Sequence, residues 1–179
     1  MASSLLLRRL PLRCASPLLV RTMASAAATT ATTATSSSKP RRRFVIDCDP
    51  GVDDAVALLM AVSHCSRNDD DQLLAVTTTH GNVGLDQVTL NAAKVLDVLP
   101  AGNAHFDART VPIHKGCPGP LIKSDKQYFP WHGVDGLGDA GFSDAVGRHV
   151  HEEEHAALAL LRLCNEYPGE VSGWVGGLD

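Results

Sequence analysis

The chain lacks the features that would assign it to the disulfide-rich or membrane-spanning classes of protein. Its five cysteines include no C-x-x-C pair, and those after residue 43 are widely spaced. That spacing argues against a disulfide framework and predicts reduced thiols in an intracellular protein. The apolar patches near Leu5 and Leu18 are too short to span a bilayer. We therefore expect no membrane partner.

Acidic residues are absent from the start of the chain, and basic residues are scarce in the rest. Residues 1–46 hold 8 of the 16 Lys and Arg residues and none of the 20 Asp and Glu residues. Residues 47–179 therefore carry 8 basic and 20 acidic side chains, a net charge of −12. Because such a body repels phosphate groups, we expect no nucleic-acid polymer as a partner.

Residues 1–43 are rich in Ala, Ser, Thr and Arg, a composition typical of mitochondrial or plastid transit peptides. The low-complexity tract from Ala24 to Ser38 predicts disorder. We expect a disordered leader over residues 1–43 and a folded domain over residues 44–179. Met23 offers a second start, so the expected location is the cytoplasm, or an organelle if the leader is a transit peptide.

The most informative stretch is an apolar run, Phe44 to Ile46, that ends in acidic residues. Four carboxylates then fall within eight positions and are interrupted by Pro50-Gly51. An apolar segment follows from Ala55 to Val62. This order predicts a buried strand, a tight turn and a helix that runs to about Ser66.

The four carboxylates, Asp47, Asp49, Asp53 and Asp54, require a physical explanation. Asp53 and Asp54 open the helix, where the dipole offsets about 0.3–1 kcal/mol of repulsion for each. That does not cancel four neighbouring charges, so either some are protonated or a cation lies among them. An all-oxygen cluster suits a hard cation such as Ca²⁺ or Mg²⁺. The simpler alternative is that these residues only cap the helix.

Further strands and helices alternate along the chain. We predict strands over Leu73–Thr79, Val111–Ile113 and Val171–Val175, and helices over Asp86–Leu99, capped by Asp86, and Glu152–Glu166. This alternation predicts an α/β fold with a doubly wound, mostly parallel sheet. In such sheets ligands bind at the carboxyl ends of the strands, where Asp47 and Asp49 are expected.

Two irregular segments connect these elements. The acids of Arg67–Asp71 are expected to be surface charge, because no apolar pattern surrounds them. The glycine-rich stretch Lys115–Arg148 is long enough to be functional, and it places Tyr128-Phe129-Pro130-Trp131 next to His132.

The segment His151–His155 has the H-E-x-x-H spacing of zinc proteases. Its intervening residues are glutamates, and no convincing third ligand follows. We therefore interpret it as a polar helix start with acids at the positive end of the dipole.

Three blocks resemble the inosine/uridine-preferring nucleoside hydrolases. The first is the segment DCDPGVDDA from Asp47 to Ala55, which closely resembles the family signature. The segment THGN from Thr79 to Asn82 and the segment HGVDGLG from His132 to Gly138 follow in the family's order. The resemblance implies a doubly wound α/β domain that is usually oligomeric and cleaves the N-glycosidic bond of purine or pyrimidine ribonucleosides to ribose and free base.

The resemblance also implies site residues. Asp49 and Asp54 would bind one Ca²⁺, and Asp49 would be the general base for a calcium-bound water. Asp53 and Asn82 would bind the ribose hydroxyls. His132 would lie near the leaving base. Asp47 would brace the loop behind the calcium ligands.

Chains of this family are much longer, so the resemblance implies that residues 44–179 are the N-terminal part of such a domain. We expect this chain by itself to be poorly stable and inactive, and the complete protein to be a homo-oligomer. Two alternatives stay open. One is a non-catalytic fragment that binds ribosides, and the other is a haloacid-dehalogenase-like phosphotransferase with Asp47 as nucleophile.

Overall fold

The computed structural model describes residues 9–11, 42–99, 106–122, 131–143 and 150–176. The tract 24–38 that was predicted to be disordered lies outside these residues, as do Tyr128 and Phe129. Among the helices in the described ranges, none is both long and apolar enough to cross a membrane.

Five strands form one sheet in the order β1-β5-β2-β3-β4. The strands are β1 (Arg9–Pro11), β2 (Arg42–Cys48), β3 (Asp71–Thr78), β4 (Ile113–Lys115) and β5 (Val171–Val175). Strands β2 to β5 are mutually parallel, and β1 pairs antiparallel with β5 at one edge. The helices are α1 (Val52–Cys65), α2 (Leu85–Val98) and α3 (Ala156–Glu166), with a 3₁₀ turn at Ala108–Thr110.

The helices cover both faces of the sheet. Ile46 belongs to a core cluster that joins the sheet to α1 and α2, through Leu58 and Leu96 among others. Val45 belongs to a second cluster that reaches Leu163 of α3. Successive strand residues point to opposite faces, so these two neighbours bury their side chains in different cores. The predicted doubly wound α/β architecture is confirmed.

The path of the chain reverses at the centre of the sheet. From β2 it proceeds outward through β3 to β4, and it then returns by α3 to place β5 on the other side of β2. The carboxyl ends of β2 and β5 are therefore adjacent at a topological switch point, which is where open α/β sheets bind ligands.

Several predicted element boundaries were wrong, and three of the differences have a clear local cause. The third strand begins at Ile113, because Val111 still closes the 3₁₀ turn with its N–H donated to Ala108. The N-cap of α2 is Gly84, and Asp86 lies inside the first turn. Helix α3 begins at Ala156, because the ring of His155 caps it by accepting the N–H of Ala157.

The expectation that Asp71 is surface charge was also wrong. Asp71 begins β3 and its side chain is 2% exposed. The Arg42 guanidinium donates to both of its carboxylate oxygens, each at 2.5 Å, and His64 also contacts it. This bidentate hydrogen bond is the main reason that the pKa of Asp71 lies below its ordinary value.

We expect Asp71→Asn to lower the free energy of unfolding by about 1–3 kcal/mol at pH 7, because a charged hydrogen-bond acceptor is lost. The folded-state pKa of Asp71 is depressed, so its contribution is present above about pH 4 and is lost as the pH falls through the folded-state value. Urea unfolding of both proteins at several pH values measures this difference.

Glu153→Gln is the control, since Glu153 is an exposed carboxylate in the turn before α3. It should change stability by less than about 0.5 kcal/mol. A difference between Asp71→Asn and the wild type that does not shrink in acid would contradict the assignment.

Candidate functional site

The turn after β2 places Asp49 at the switch point. Asp49 directly follows the last residue of β2 and is 5% exposed. Its Oδ2 accepts the backbone N–H of Asn82 at 2.7 Å, and the Asn82 carboxamide donates to the Asp49 carbonyl at 2.8 Å. These two contacts join the loop after β2 to the loop after β3.

A glycine makes this contact possible. A Cβ at Gly81 would lie 1.9 Å from Asp49 Oδ2, so any other residue there would displace the carboxylate. The glycine of the second block is therefore required by the position of Asp49 and not only by the local turn.

Asp54 lies beside Asp49 in the first turn of α1. The Asp49 N–H donates to Asp54 Oδ2 at 3.1 Å. On the other side, a Cβ at Gly176 would lie 2.5 Å from Asp54 Oδ1, so the backbone that follows β5 packs directly against this carboxylate. The site is thus assembled from the ends of β2, β3 and β5.

Burial and like charge disfavour ionisation here. Burial, followed by the charges of Asp49 and Asp53, raises the pKa of Asp54 to about 7. Burial is also the largest cause of a raised pKa at Asp49, and the N–H of Asn82 opposes it. The predicted repulsion among the acids is therefore present in the folded protein.

One acceptor in this cluster has no protein donor. Asp49 Oδ1 is buried, and no group within the described ranges donates to it. Buried carboxylate oxygens in a polar cleft normally have a partner, which can be a proton, a water or an ion. The oxygen chemistry of Asp49 and Asp54 fits a hard cation such as calcium.

The protein ligands for such an ion are few. The residues that the structure describes contain no group of three or more His, Cys, Asp or Glu side chains able to hold a metal. Two carboxylates provide only part of the ~6–8 oxygens that calcium takes. The site therefore suits calcium because its ligands are oxygens and because Asp49 Oδ1 has no donor in the described ranges. The remaining coordination positions would be filled by other donors.

Asp47 lies behind these residues, within β2. Its Oδ1 accepts the hydroxyl of Thr77 on the adjacent β3 at 2.7 Å, and its carbonyl accepts the N–H of Gly176. Asp47 thus connects β2 to both neighbours at the edge that carries the site. Burial raises the pKa of the thiol of Cys48, which lies between Asp47 and Asp49, well above its ordinary value, and this disfavours the nucleophilic thiolate.

His132 approaches from the third block. Its Nδ1 lies 3.4 Å from the N–H of Val52, and its Nε2 lies 3.5 Å from Asp53 Oδ1, on a carboxylate that is about half exposed. A Cβ at Gly51 would meet His132 Cδ2 at 2.6 Å and Asn82 Nδ2 at 2.7 Å. All three blocks of the resemblance therefore meet at Gly51.

The fold thus gathers at one edge the five residues singled out from the sequence for calcium, ribose or the leaving base: Asp49, Asp53, Asp54, Asn82 and His132. Their chemical roles stay predictions. By contrast, the H-E-x-x-H segment precedes α3, so its two histidines do not share a helical face.

One site residue was missed from the sequence. Asn91 of α2 is completely buried and donates to Pro50 and Asp135, which belong to the first and third blocks. The signal was present in the helical spacing, because Asn91 lies three residues after Val88 and four before Val95 on the apolar face. A polar side chain on such a face needs hydrogen-bond partners.

Comparisons with known proteins agree with this geometry. A family model for inosine-uridine preferring nucleoside hydrolases matches residues 44–178. An inosine-uridine preferring nucleoside hydrolase from Leishmania major is 40% identical over 122 residues, which are 68% of this chain and 35% of the relative. A pyrimidine-specific ribonucleoside hydrolase from Escherichia coli is 33% identical over 132 residues, 74% of this chain and 38% of the relative.

A solved structure of an inosine-guanosine nucleoside hydrolase superposes with a TM-score of 0.59 at 30% identity, covering 75% of this chain and 38% of that one. The chain spans little more than a third of the length of these relatives. The match over residues 44–178 includes all three sequence blocks and the whole edge of the sheet that carries the carboxylates. The chain belongs to the inosine-uridine preferring nucleoside hydrolase family.

Proposed function

We propose that this site binds the ribose of a nucleoside and supplies the proton acceptor for hydrolysis of its N-glycosidic bond to ribose and free base, a reaction for which Asp49 and Asp54 by themselves give calcium too few ligands for rapid turnover. The observation that carries the proposal is the buried Oδ1 of Asp49 at the switch point, which has no donor among the described residues. It lies beside Asp54, at the same edge of the sheet as Asp53, Asn82 and His132. An acceptor held in that position can take a proton from an attacking water.

The charge of the site suits this reaction. Cleavage of an N-glycosidic bond develops oxocarbenium character on the sugar, and neighbouring carboxylates stabilise that positive charge. The charge of Asp53 contributes to the raised pKa of both Asp49 and Asp54, and the charge of Asp49 contributes to that of Asp54. The same carboxylate charges that repel one another therefore favour a cationic transition state between them.

Asp49 and Asp54 would hold a calcium ion. When bound, calcium orients and polarises the attacking water, and as a weak Lewis acid it leaves proton removal to a carboxylate. Asp49 is suited to this role because Asn82 occupies only its Oδ2, while the buried Oδ1 accepts from no group in the described ranges. Asp47 holds the strand end in place through Thr77.

Asp53 and Asn82 would bind the ribose hydroxyls. Asp53 is half exposed at the start of α1 and can accept from a hydroxyl. The hydrogen bond from the Asn82 carboxamide to the Asp49 carbonyl uses one of its two N–H hydrogens, so the other hydrogen and the carboxamide oxygen can serve ribose. His132 would contact the leaving base and assist its departure as a donor or by stacking.

The phosphotransferase alternative is not favoured. It would require Asp47 to be the exposed nucleophile, whereas Asp47 lies within β2 and accepts the Thr77 hydroxyl. Membership of the nucleoside hydrolase family also argues against it.

The first test measures binding and turnover separately on the full chain. Inosine and uridine are the probes, because the names of the relatives include purine and pyrimidine nucleosides. With calcium present, we expect saturation-transfer NMR to detect binding of at least one nucleoside. Asp49→Asn should weaken that binding at least tenfold, since an interaction with a charged group is worth about 1.5–3 kcal/mol.

Asp86→Asn is the matched control, because Asp86 is an exposed acid in the first turn of α2 that pairs with Lys115. It should bind nucleosides as the wild type does. We expect little ribose release from this chain alone, because Asp49 and Asp54 give calcium few protein ligands. Absence of nucleoside binding would refute the proposed function, and release well above background would refute the expected inactivity.

The second test concerns the ion. Calcium should raise the melting temperature of the wild type, because an ion that binds only the folded state stabilises it by RT ln(1 + [L]/Kd), about 1.4 kcal/mol at tenfold excess. Asp49→Asn and Asp54→Asn should abolish that shift. In chelator, Asp54→Asn should be at least as stable as the wild type, because it relieves the repulsion from Asp49 and Asp53.

Sodium chloride at the same ionic strength is the control for screening. An equal shift with sodium chloride, or a calcium shift that survives in both variants, would show that the ion does not bind between these carboxylates.

A further inference from the structure

The side-chain amide of Asn91 connects two loops that are far apart in the sequence. Its Nδ2 donates to the carbonyl of Pro50 at 3.1 Å and to the carbonyl of Asp135 at 2.8 Å. Its Oδ1 accepts from Gln87 Nε2 at 3.0 Å, one helical turn away. Both donor hydrogens of a completely buried carboxamide are therefore used on the backbone of the site.

The two loops carry the groups that the proposed reaction needs. Pro50 follows Asp49 directly, and Asp135 lies in the segment 131–143 that contains His132. The contacts of the His132 ring itself, 3.4 Å to Val52 N and 3.5 Å to Asp53 Oδ1, are at the limit of hydrogen bonding. Such contacts do not hold an imidazole in one place, so its position depends on the backbone that bears it.

That backbone is internally connected. The N–H of Gly138 donates to the carbonyl of His132 at 2.7 Å. The Asp135 carboxylate accepts the N–H groups of Leu137 and Asp139, and the Asp139 carboxylate accepts those of Val134 and Asp135. Residues 132–139, which these bonds join, are expected to move as a unit, so an attachment at Asp135 can position His132. The Lys94 ammonium of the same helix also donates to the carbonyl of Phe142 at 3.3 Å, but Phe142 lies outside that unit.

We propose that Asn91 is a positioning residue that holds the segment bearing His132 against the Asp49–Gly51 turn. The inference rests on the proposed function only for the placement of His132 beside the leaving base. Neither carbonyl can donate, so the group between them must provide two hydrogens, which a carboxamide does and a carboxylate does not. The close approach of Gly136, where a Cβ would lie 2.8 Å from Asn91 Nδ2, leaves no room for a larger side chain on the loop.

The test compares Asn91→Leu, which keeps the number and branching of the side-chain heavy atoms and removes both donors, with Thr89→Val. Thr89 lies on the same helix, is 2% exposed, and bonds to Leu85 and Thr78 instead of the loops. Both variants lose buried hydrogen bonds of α2, so both should lower the melting temperature. Only Asn91→Leu should release the loops.

Amide hydrogen exchange and the NMR signals of the His132 ring report on that release. We expect amides of the segment 131–143 to exchange about tenfold faster in Asn91→Leu, with a shifted His132 signal, and to be unchanged in Thr89→Val. Inosine binding should weaken in Asn91→Leu only. Gln87→Met, which removes only the group that orients the Asn91 carboxamide, should give a smaller change in the same direction.

Each result decides the matter. A folded Asn91→Leu with wild-type exchange in 131–143 and an unmoved His132 signal overturns the proposal, as does an equal change in Thr89→Val. If Asn91→Leu does not fold, the same criteria apply to Gln87→Met. If the wild type binds no nucleoside, the proposed function fails, while exchange and the His132 signal still decide whether Asn91 holds the segment.

Discussion

The carboxylate of Asp49 is buried at the edge of the sheet and loses its contact with water on folding. The surrounding loops are arranged around this buried group. Desolvating an ion costs several kcal/mol unless hydrogen bonds or an opposite charge replace the water. The Asn82 N–H donates to one oxygen and Gly81 leaves the space for it, while the other oxygen has no donor among the residues that the structure describes. This arrangement lowers the stability of the fold, and it provides a proton acceptor or a ligand for an ion at the same place.

The sheet topology makes the burial of Asp49 possible. Residues at the end of β2 are flanked by β3 on one side and by β5 on the other, and helices cover both faces. Asp47 connects the three strand ends, and Asn91 connects the turn after β2 to the third sequence block. The carboxylates therefore project from a rigid support, although they themselves lie in turns and in the first turn of a helix.

Much of the fold could be predicted from local patterns. The runs around Val45 and Leu73 are apolar because β2 and β3 are covered on both sides, and the spacing of Val88, Ala92 and Val95 follows a helix with one buried face. Errors of element boundary arose from local turns and caps, whereas the error at Asp71 arose because a tertiary contact overrode a local preference. Asp71 appeared to be one of several acids in a polar loop, but Arg42, 29 residues earlier, lies beside it in the adjacent strand.

The sequence by itself determined the strand–turn–helix unit, the density of carboxylates in it and the three family blocks, because these depend on neighbouring residues. Only the tertiary structure decided that the blocks meet at Gly51, that Asp49 retains an unpartnered oxygen, and that Asn91 joins Pro50 to Asp135. The physical reason is that hydrogen bonds between residues 33 to 44 positions apart depend on strand order and helix packing, which no local pattern encodes.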